Sequence, residues 1–405
     1  AGALSPGARV WGGPRVAAVG PVGVPGGTHR QCSKLEHMTQ VNDEVGRRVA
    51  EARERRGLTQ ADVASRSGIG RPTLSKLENG QQSISISHLV DLAEALDMRV
   101  EWLLSDPPAA IVSHRGSSRS RLASIDLEVE RMAREVELVA SESSRFASVL
   151  GRLPVLDPPQ DARAVEEMAG RARDLLGAPR QGPLHDLGEL MGRLGVMLFS
   201  VDLGPDEADA ATVLLEHGAV SVVNAHLRTG RRRLSAAHEL GHALLADDYT
   251  VDYALGDHTG RTESQLDQFG RALLLPADST ASRWKALRDT HVLREAAVIV
   301  ASEYRVDMAT LARRLRELSA ISDSEAAEIR RTVTTREDIV EWSLVPADEL
   351  RVGFLPATYR ESVLDLYLDE RLSPERTVEL LRGTCTEGDL PEPPPLTADR
   401  IRQFV

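Results

Sequence analysis

A chain of 405 residues that is 41% hydrophobic and 27% charged carries enough apolar material for two or three ordinary globular domains. No apolar run approaches the roughly 18 residues that span a bilayer, and two cysteines, Cys32 and Cys385, exclude a disulfide scaffold and fit a reducing cytoplasm. A net charge of −12 excludes wholesale coating of nucleic acid but leaves room for one small DNA-binding module. Residues 1–30 hold eight glycines and four prolines, so residues 1–40 read as a disordered extension, with Met38 a natural start. Val41–Asp106 is a dense set of short helical patterns closed by Pro107–Pro108. Residues 107–160 read as a helical linker with a heptad-like stretch over 122–150. Residues 161–194 read as two helices divided by "GAPRQGP". "GVMLFSVDL" and "ATVLLEHGAVSVVNA" read as strands, the second a hairpin turning at His217–Gly218. Helices dominate from Leu234 to about Arg331, and the tail returns to helix at Thr358–Arg371 and Ser373–Arg382.

In "GLTQADVASRSGIGRPTLSKLENG", Gly57–Gly80, Thr59 is a good N-cap, Gly68 ends the first short helix and Gly80 the second. Two short helices across a glycine turn make a helix-turn-helix. Together with "HLVDLAEALDMRVEWLL", this stretch resembles the lambda/434 repressor-like (Xre) family of DNA-binding domains. The resemblance implies that the second helix enters the major groove of operator DNA. Carried over by position, Arg71, Thr73 and Lys76 face bases, and Gln60 and Asn79 hold phosphates. Residues 41–105 carry nine Arg/Lys and ten Asp/Glu, so the module nets −1 and its positive edge depends on distribution. Arg66–Lys76 holds three positive charges and no acid, whereas Asp91–Glu101 holds four acids and one arginine. A module used only for protein interaction is the blander reading.

In the middle helix, Leu122, Ile125, Val129, Met132, Val136 and Val139 recur in a heptad frame that Phe146 and Leu150 continue. Glu128, Glu135 and Glu142 flank the seam without opposite charges facing them. The seam fits either a homodimer through 122–150 or packing against the chain's own catalytic domain.

"SAAHELGHALLADD", Ser235–Asp248, places His238 and His242 one turn apart on a single helix face, with Glu239 between them. H-E-x-x-H suits a zinc site because both imidazoles reach one ion while the glutamate serves as base. A catalytic zinc needs a third protein ligand. "ESQLDQFGRALLLPAD" starts at Glu263, 21 residues past His242, and offers Glu263 and Asp267 four apart on one face. Glu263 is the preferred third ligand because its side chain is longer, and Asp267 is then an acceptor that orients a histidine N–H. His226, His258 and His291 read as solvated histidines. Tyr249 and Tyr253 read as core or surface tyrosines, either of which could steady an oxyanion.

"RRRLSAAHELGHALL" followed by "E…DQF…LLLP" resembles the ImmA/IrrE family of zinc metallopeptidases. The strand "VSVVNA" ending near Asn224, Pro276 in register with Glu263, and "VASEYRVDMATLARRLREL" extend the resemblance over residues 165–320. Departures fall at Leu266 and Gly270, where alanines are usual, and at Asp307, where serine is. The resemblance implies a zincin-like, gluzincin-type endopeptidase over 161–325, holding Zn²⁺ through His238, His242 and Glu263 with Glu239 as general base. It also implies a narrow protein substrate, a repressor often coded nearby.

The fold expected is mainly α with a small antiparallel sheet (α+β): a helix-turn-helix domain, a zincin-like domain and a helical region over 326–405 without an assigned role. The arginine bias (only Lys34, Lys76 and Lys285 are lysines) points to a GC-rich bacterial genome and a bacterial cytoplasmic location, with no membrane partner. A second hypothesis makes the chain a transcriptional regulator or antitoxin-like protein whose zincin domain senses or is inactive. The intact His238, Glu239, His242 and Glu263 set argues against loss of activity.

Overall fold

A computed structural model describes residues 42–54, 56–96, 98, 100–104, 111–115, 122–205, 207–246, 258–345 and 348–392. The extension before residue 41, Tyr249 and Tyr253 lie outside the described residues. The chain divides into two compact units, Ala1–Asp106 and Pro107–Val405.

The first unit is built from α1 (residues 42–54), α2 (Gln60–Ser67), α3 (Arg71–Glu78), α4 (Ile86–Ala95) and α5 (Val100–Leu104). Thr59 caps α2 in a reciprocal box: its hydroxyl accepts from the Asp62 amide at 3.2 Å, and its own amide donates to Asp62 at 2.8 Å. Gly68 then takes the left-handed conformation, φ 70°, that ends the helix. α3 starts after Gly70 with Pro72 in its first turn, where proline has no N–H to lose. Val63, Leu74 and Leu77 point inward with Val49 and Leu92, all fully buried. α2 and α3 are therefore held at a fixed angle by one small core.

The second unit centres on a four-stranded sheet, β1 (Ile111–Arg115), β2 (Val196–Val201), β3 (Ala210–Leu214) and β4 (Ala219–Asn224), in the order β1-β3-β4-β2. β3 and β4 form the expected hairpin, but β2 runs parallel to β4, so the sheet is mixed rather than wholly antiparallel. The reason is α9 (Leu187–Leu194), which delivers the chain to β2 through the left-handed Gly195 at the same end where the hairpin turn starts β4. Sheet residues alternate strictly between two cores. Val196, Leu198, Ala210 and Val223 face one core; Met197, Phe199, Ala211, Val213, Val220 and Val222 face the other.

The second core is closed by α6 (Leu122–Glu142), α7 (Ser144–Leu150), α17 (Ala357–Leu368) and α18 (Pro374–Leu380). Ile125, Val129, Met132, Val136 and Val139 are fully buried there; the side chain of Leu122 is outside the described residues. Of the two readings of the seam, packing against the chain's own domain is the one found: the apolar stripe is spent on the chain's own sheet and is not open for a homodimer through 122–150. A helix laid on a sheet needs the same narrow apolar stripe as a coiled coil. Two of the three flanking carboxylates find arginines of the tail: Arg382 donates to Glu128 at 2.9 Å, and Arg371 pairs with Glu142. The stretch is also two helices. Ser143 leaves the helical conformation and caps α7, accepting from the Phe146 amide at 3.3 Å.

The first core gathers α8 (Ala162–Leu175), α9, α10 (Thr229–Leu245), α11 (His258–Leu274), α12 (Ala277–Arg288), α13 (Leu293–Glu303), α14 (Met308–Glu317) and α15 (Asp323–Arg331). α16 (Arg336–Glu341) follows these, and a short 3₁₀ turn at Glu387–Asp389 follows α18. The region 326–405 is therefore structural in part, since Tyr359, Val363 and Leu366 fill the second core. No helix among the described residues is long and apolar enough to cross a membrane.

Candidate metal centre and DNA-binding helix

α10 is buried along almost its whole length, from Arg232 to Leu245. It therefore carries its histidines inside the unit. α11 crosses it closely, and Gly241 permits the approach: a Cβ there would meet Leu266 Cδ2 at 2.7 Å and Phe269 Cδ1 at 3.0 Å. The glycine that looks like a weak point inside a helix is the contact that lets the two helices touch. Gly270 answers it from α11, with Leu234 Cδ1 only 3.3 Å from where its Cβ would lie.

This crossing brings the sequence-derived ligands together. His238 Nε2 lies 3.1 Å from His242 Nε2, and Glu263 reaches both, at 3.2 Å from His238 and 3.3 Å from His242. One ligand atom from each of the three residues falls within 4.8 Å of the others. Asp267, one turn after Glu263, is not in this cluster; its Oδ1 sits 3.1 Å from His238 Nδ1 on the far side of the ring. Burial pushes the Glu263 carboxyl up, but the two histidines outweigh burial and hold it far below the usual carboxylate range.

Glu239 is fully buried, and neither of its carboxylate oxygens has a hydrogen-bond partner among the described residues. His242 Nδ1 is in the same position. Leaving a buried carboxylate without partners costs stability, so such a group signals a role other than holding the fold.

A second layer fixes α10 from its first turns. Arg233 is completely buried; its guanidinium pairs with Glu349 and donates to the Leu184 carbonyl. Glu349 also pairs with Arg305. Burial pushes the Glu349 carboxyl up, and the two guanidiniums override that and hold it below the usual range. Arg233 stands in the motif as the residue five before His238, but nothing in the sequence connects it with Glu349, 116 positions on. Asn224 at the end of β4 accepts from the amides of Leu203 (3.2 Å) and His226 (3.0 Å), pinning the chain's entry to α10. Asp307, where serine is usual, keeps the capping role by accepting from the Thr310 amide at 2.7 Å.

His226 and His291 stay outside the centre. His226 lies half-exposed beside Asp202, and His291 packs edge-on against Trp342 with ring centroids 4.9 Å apart. The side chain of His258, at the start of α11, is not among those described.

In the first unit, Arg71 and Lys76 are exposed on α3, with Thr73 partly so. Arg66 at the end of α2 is exposed as well. Gln60 donates to Glu78 at 2.7 Å, and Glu78 is itself clamped by Arg53 at 2.7 Å, so Gln60 ties α2 to the end of α3. Asn79 folds back to the Ser75 carbonyl at 2.7 Å. Each of these amides keeps a second N–H.

Comparison with known proteins matches both units. Residues 49–103 fit the family model described as helix-turn-helix, and residues 191–316 fit the one described as IrrE N-terminal-like domain. An uncharacterised transcriptional regulator in the ATPase CF(0) region of Rhodospirillum rubrum is 34% identical over 76 residues, which is 19% of this chain and 70% of that one. The uncharacterised HTH-type transcriptional regulator y4dJ of Sinorhizobium fredii is 42% identical over 52 residues, 13% of this chain and 68% of its own. The crystal structure of ComR from Streptococcus suis aligns with 87% of this chain and 97% of its own at 13% identity, but the TM-score of 0.16 is too low to carry a shared fold. The chain belongs to the helix-turn-helix transcriptional regulators of the Xre-like kind, and it joins that DNA-binding domain to an IrrE/ImmA-like domain of the peptidase family.

Proposed function

We propose that the chain is a DNA-binding regulator whose second unit is a zinc-dependent endopeptidase acting on a specific regulatory protein, such as a transcriptional repressor. The observation that carries the reading is the convergence of His238, His242 and Glu263 beside the buried, partnerless Glu239. Two imidazoles and one carboxylate are the donor set of a catalytic zinc site. The closest pairwise approaches of 3.1–3.3 Å suit the edges of a tetrahedron, about 3.3 Å for ligands at about 2.0 Å from a central zinc. Asp267 on His238 Nδ1 keeps that proton in place and leaves Nε2 as the donor.

When bound, zinc supplies Lewis acidity at the scissile carbonyl and lowers the pKa of water. Glu239 takes a proton from the attacking water and returns it to the leaving amine, so the peptide bond is exchanged for a carboxylate and an amine. Arg233 and Glu349 hold the helix that positions Glu239, and take no part in the proton transfer.

In the first unit, α3 enters the major groove with Arg71, Thr73 and Lys76 toward base edges, while the spare N–H groups of Gln60 and Asn79 hold phosphates. The partners are then operator DNA and one protein substrate.

The test is to incubate the purified, zinc-loaded chain with the repressors coded beside its gene. Discrete fragments that disappear with a chelator support the reading. A zinc-loaded chain that cuts none of these proteins, while still binding its operator, overturns the peptidase half.

A further inference from the structure

Between the second half of α12, the end of α13 and the segment that follows α16 lies a cleft of about 720 Å³. A cleft of that size takes one small organic molecule. Leu287, Ile299 and Leu344 give it apolar walls. His185 and Trp342–Val345, which also line it, lie outside residues 191–316, so the IrrE N-terminal-like stretch does not form the cleft by itself.

The charges around the cleft are unevenly matched. Arg283 is spent on Glu303, to which its Nε donates at 2.9 Å. Arg305 has only a share of Glu349, because that carboxylate also pairs with the buried Arg233. Two guanidiniums thus divide one carboxylate, and positive charge is left over beside the cleft. His185 registers it: partial burial, then Arg305 and Arg233, hold its imidazole below the usual range and outweigh Glu349 and Asp186. Arg305 also occupies the position after α13 where glycine most often ends a helix, with φ 53°. A side chain is strained there, and this one sets a guanidinium in the cleft wall. The Trp342 indole N–H is buried without a hydrogen-bond partner among the described residues. A buried donor costs stability until an acceptor reaches it.

We propose that this cleft binds a small organic anion, an apolar body carrying one carboxylate, with Arg305 and the Trp342 N–H donating to its oxygens, and that its occupancy is felt by α10. The route runs through shared partners. A carboxylate on Arg305 draws it from Glu349, and Glu349 is what neutralises Arg233 on α10. Val345 in the cleft wall stands three residues before Asp348, which pairs with Arg232 on the same helix.

The probe is 1-naphthoate, with 1-naphthamide as its uncharged counterpart, each titrated calorimetrically into the full chain. Naphthoate is expected to bind about tenfold or more tighter than the amide, because hydrogen bonds between a guanidinium and a carboxylate are the stronger ones. Arg305→Gln should remove that advantage, and Arg305→Lys should keep most of it. Ala286→Trp, an exposed change on α12, fills the cleft without touching the Arg305–Glu349 pair and should abolish binding of both compounds. No binding of naphthoate at about millimolar concentration overturns the proposal. So does equal affinity for acid and amide, or unchanged binding in Ala286→Trp.

Hydrogen exchange reads the route to α10. Saturating naphthoate should change protection at 229–236 and at 348–350, while 125–139 in α6 keeps its protection. A chain that binds naphthoate with 229–236 unchanged overturns the route. None of these measurements uses zinc or cleavage, so the cleft stands or falls apart from the peptidase reading.

Discussion

Asp267 Oδ1 lies 3.1 Å from His238 Nδ1, on the opposite side of the imidazole from the Nε2 that meets Glu263 at 3.2 Å. The two carboxylates of α11, one turn apart, therefore address the two nitrogens of one ring. In the proposed zinc site, that division separates a ligand from a residue that orients one. Glu263→Ala should remove most of the bound zinc, while Asp267→Asn should weaken zinc by about 10–100-fold and leave the donor set intact. Titration against a competing chelator measures both. Unchanged zinc in Glu263→Ala, with loss in Asp267→Ala, would make Asp267 the third ligand.

The Arg233–Glu349 pair should contribute to the acid stability of the second unit. Glu349 has a folded pKa below its ordinary value of 4.5, so its contribution is fully present above that pH and is lost as the pH falls through the folded value. Glu349→Gln strands the buried Arg233 charge and should cost about 3–5 kcal/mol at neutral pH. The variant should also show a flatter fall in stability on acidification. A denaturant melt at pH 7 within about 0.5 kcal/mol of wild type, the range of an ordinary surface change, would count against the pair.

Met132→Ala in the buried seam of α6 should destabilise the second unit by about 2–5 kcal/mol, because it opens a cavity against the sheet. The mass in solution, measured by sedimentation, should not change. An altered mass with an unaltered melt would return the seam to an intermolecular role.

On α3, Arg71→Ala and Lys76→Ala should each weaken binding to the selected operator by about 1–3 kcal/mol and change binding to random DNA far less. Anisotropy on both DNAs at one salt concentration reads the difference. Equal losses on the two would show that these side chains touch phosphate alone.

Much of this architecture is legible in local chemistry. Thr59, Gly68 and Gly80 mark the ends of α2 and α3 because capping and left-handed turns depend on single residues. His238, His242 and Glu263 are legible because one helical turn sets the first pair and the 21-residue gap leaves room for a second helix. What is set by distant parts of the chain is not legible. The heptad of α6 has the same pattern whether it meets another helix or a sheet, and its partner became clear only through Arg382 and Arg371, far along the tail. Glu349 carries no motif, so its grip on Arg233 is invisible before folding. β1, "IVSHR", is five residues long and lacks alternation, so nothing local marks it as a strand. The parallel pairing of β2 with β4 follows from the route of the chain through α9 rather than from strand composition.

Glu239→Gln tests the central claim most directly. Glutamine keeps the size and shape of the side chain, and the buried position leaves the fold's contacts unchanged, but it cannot accept a proton at neutral pH. Zinc content, operator binding and cleavage of the regulatory proteins coded beside the gene are measured together for wild type and variant. The expected result is full zinc and operator binding with cleavage reduced by about 10²–10⁴-fold. Cleavage by the variant at near the wild-type rate would contradict the role of Glu239 and the mechanism built on it.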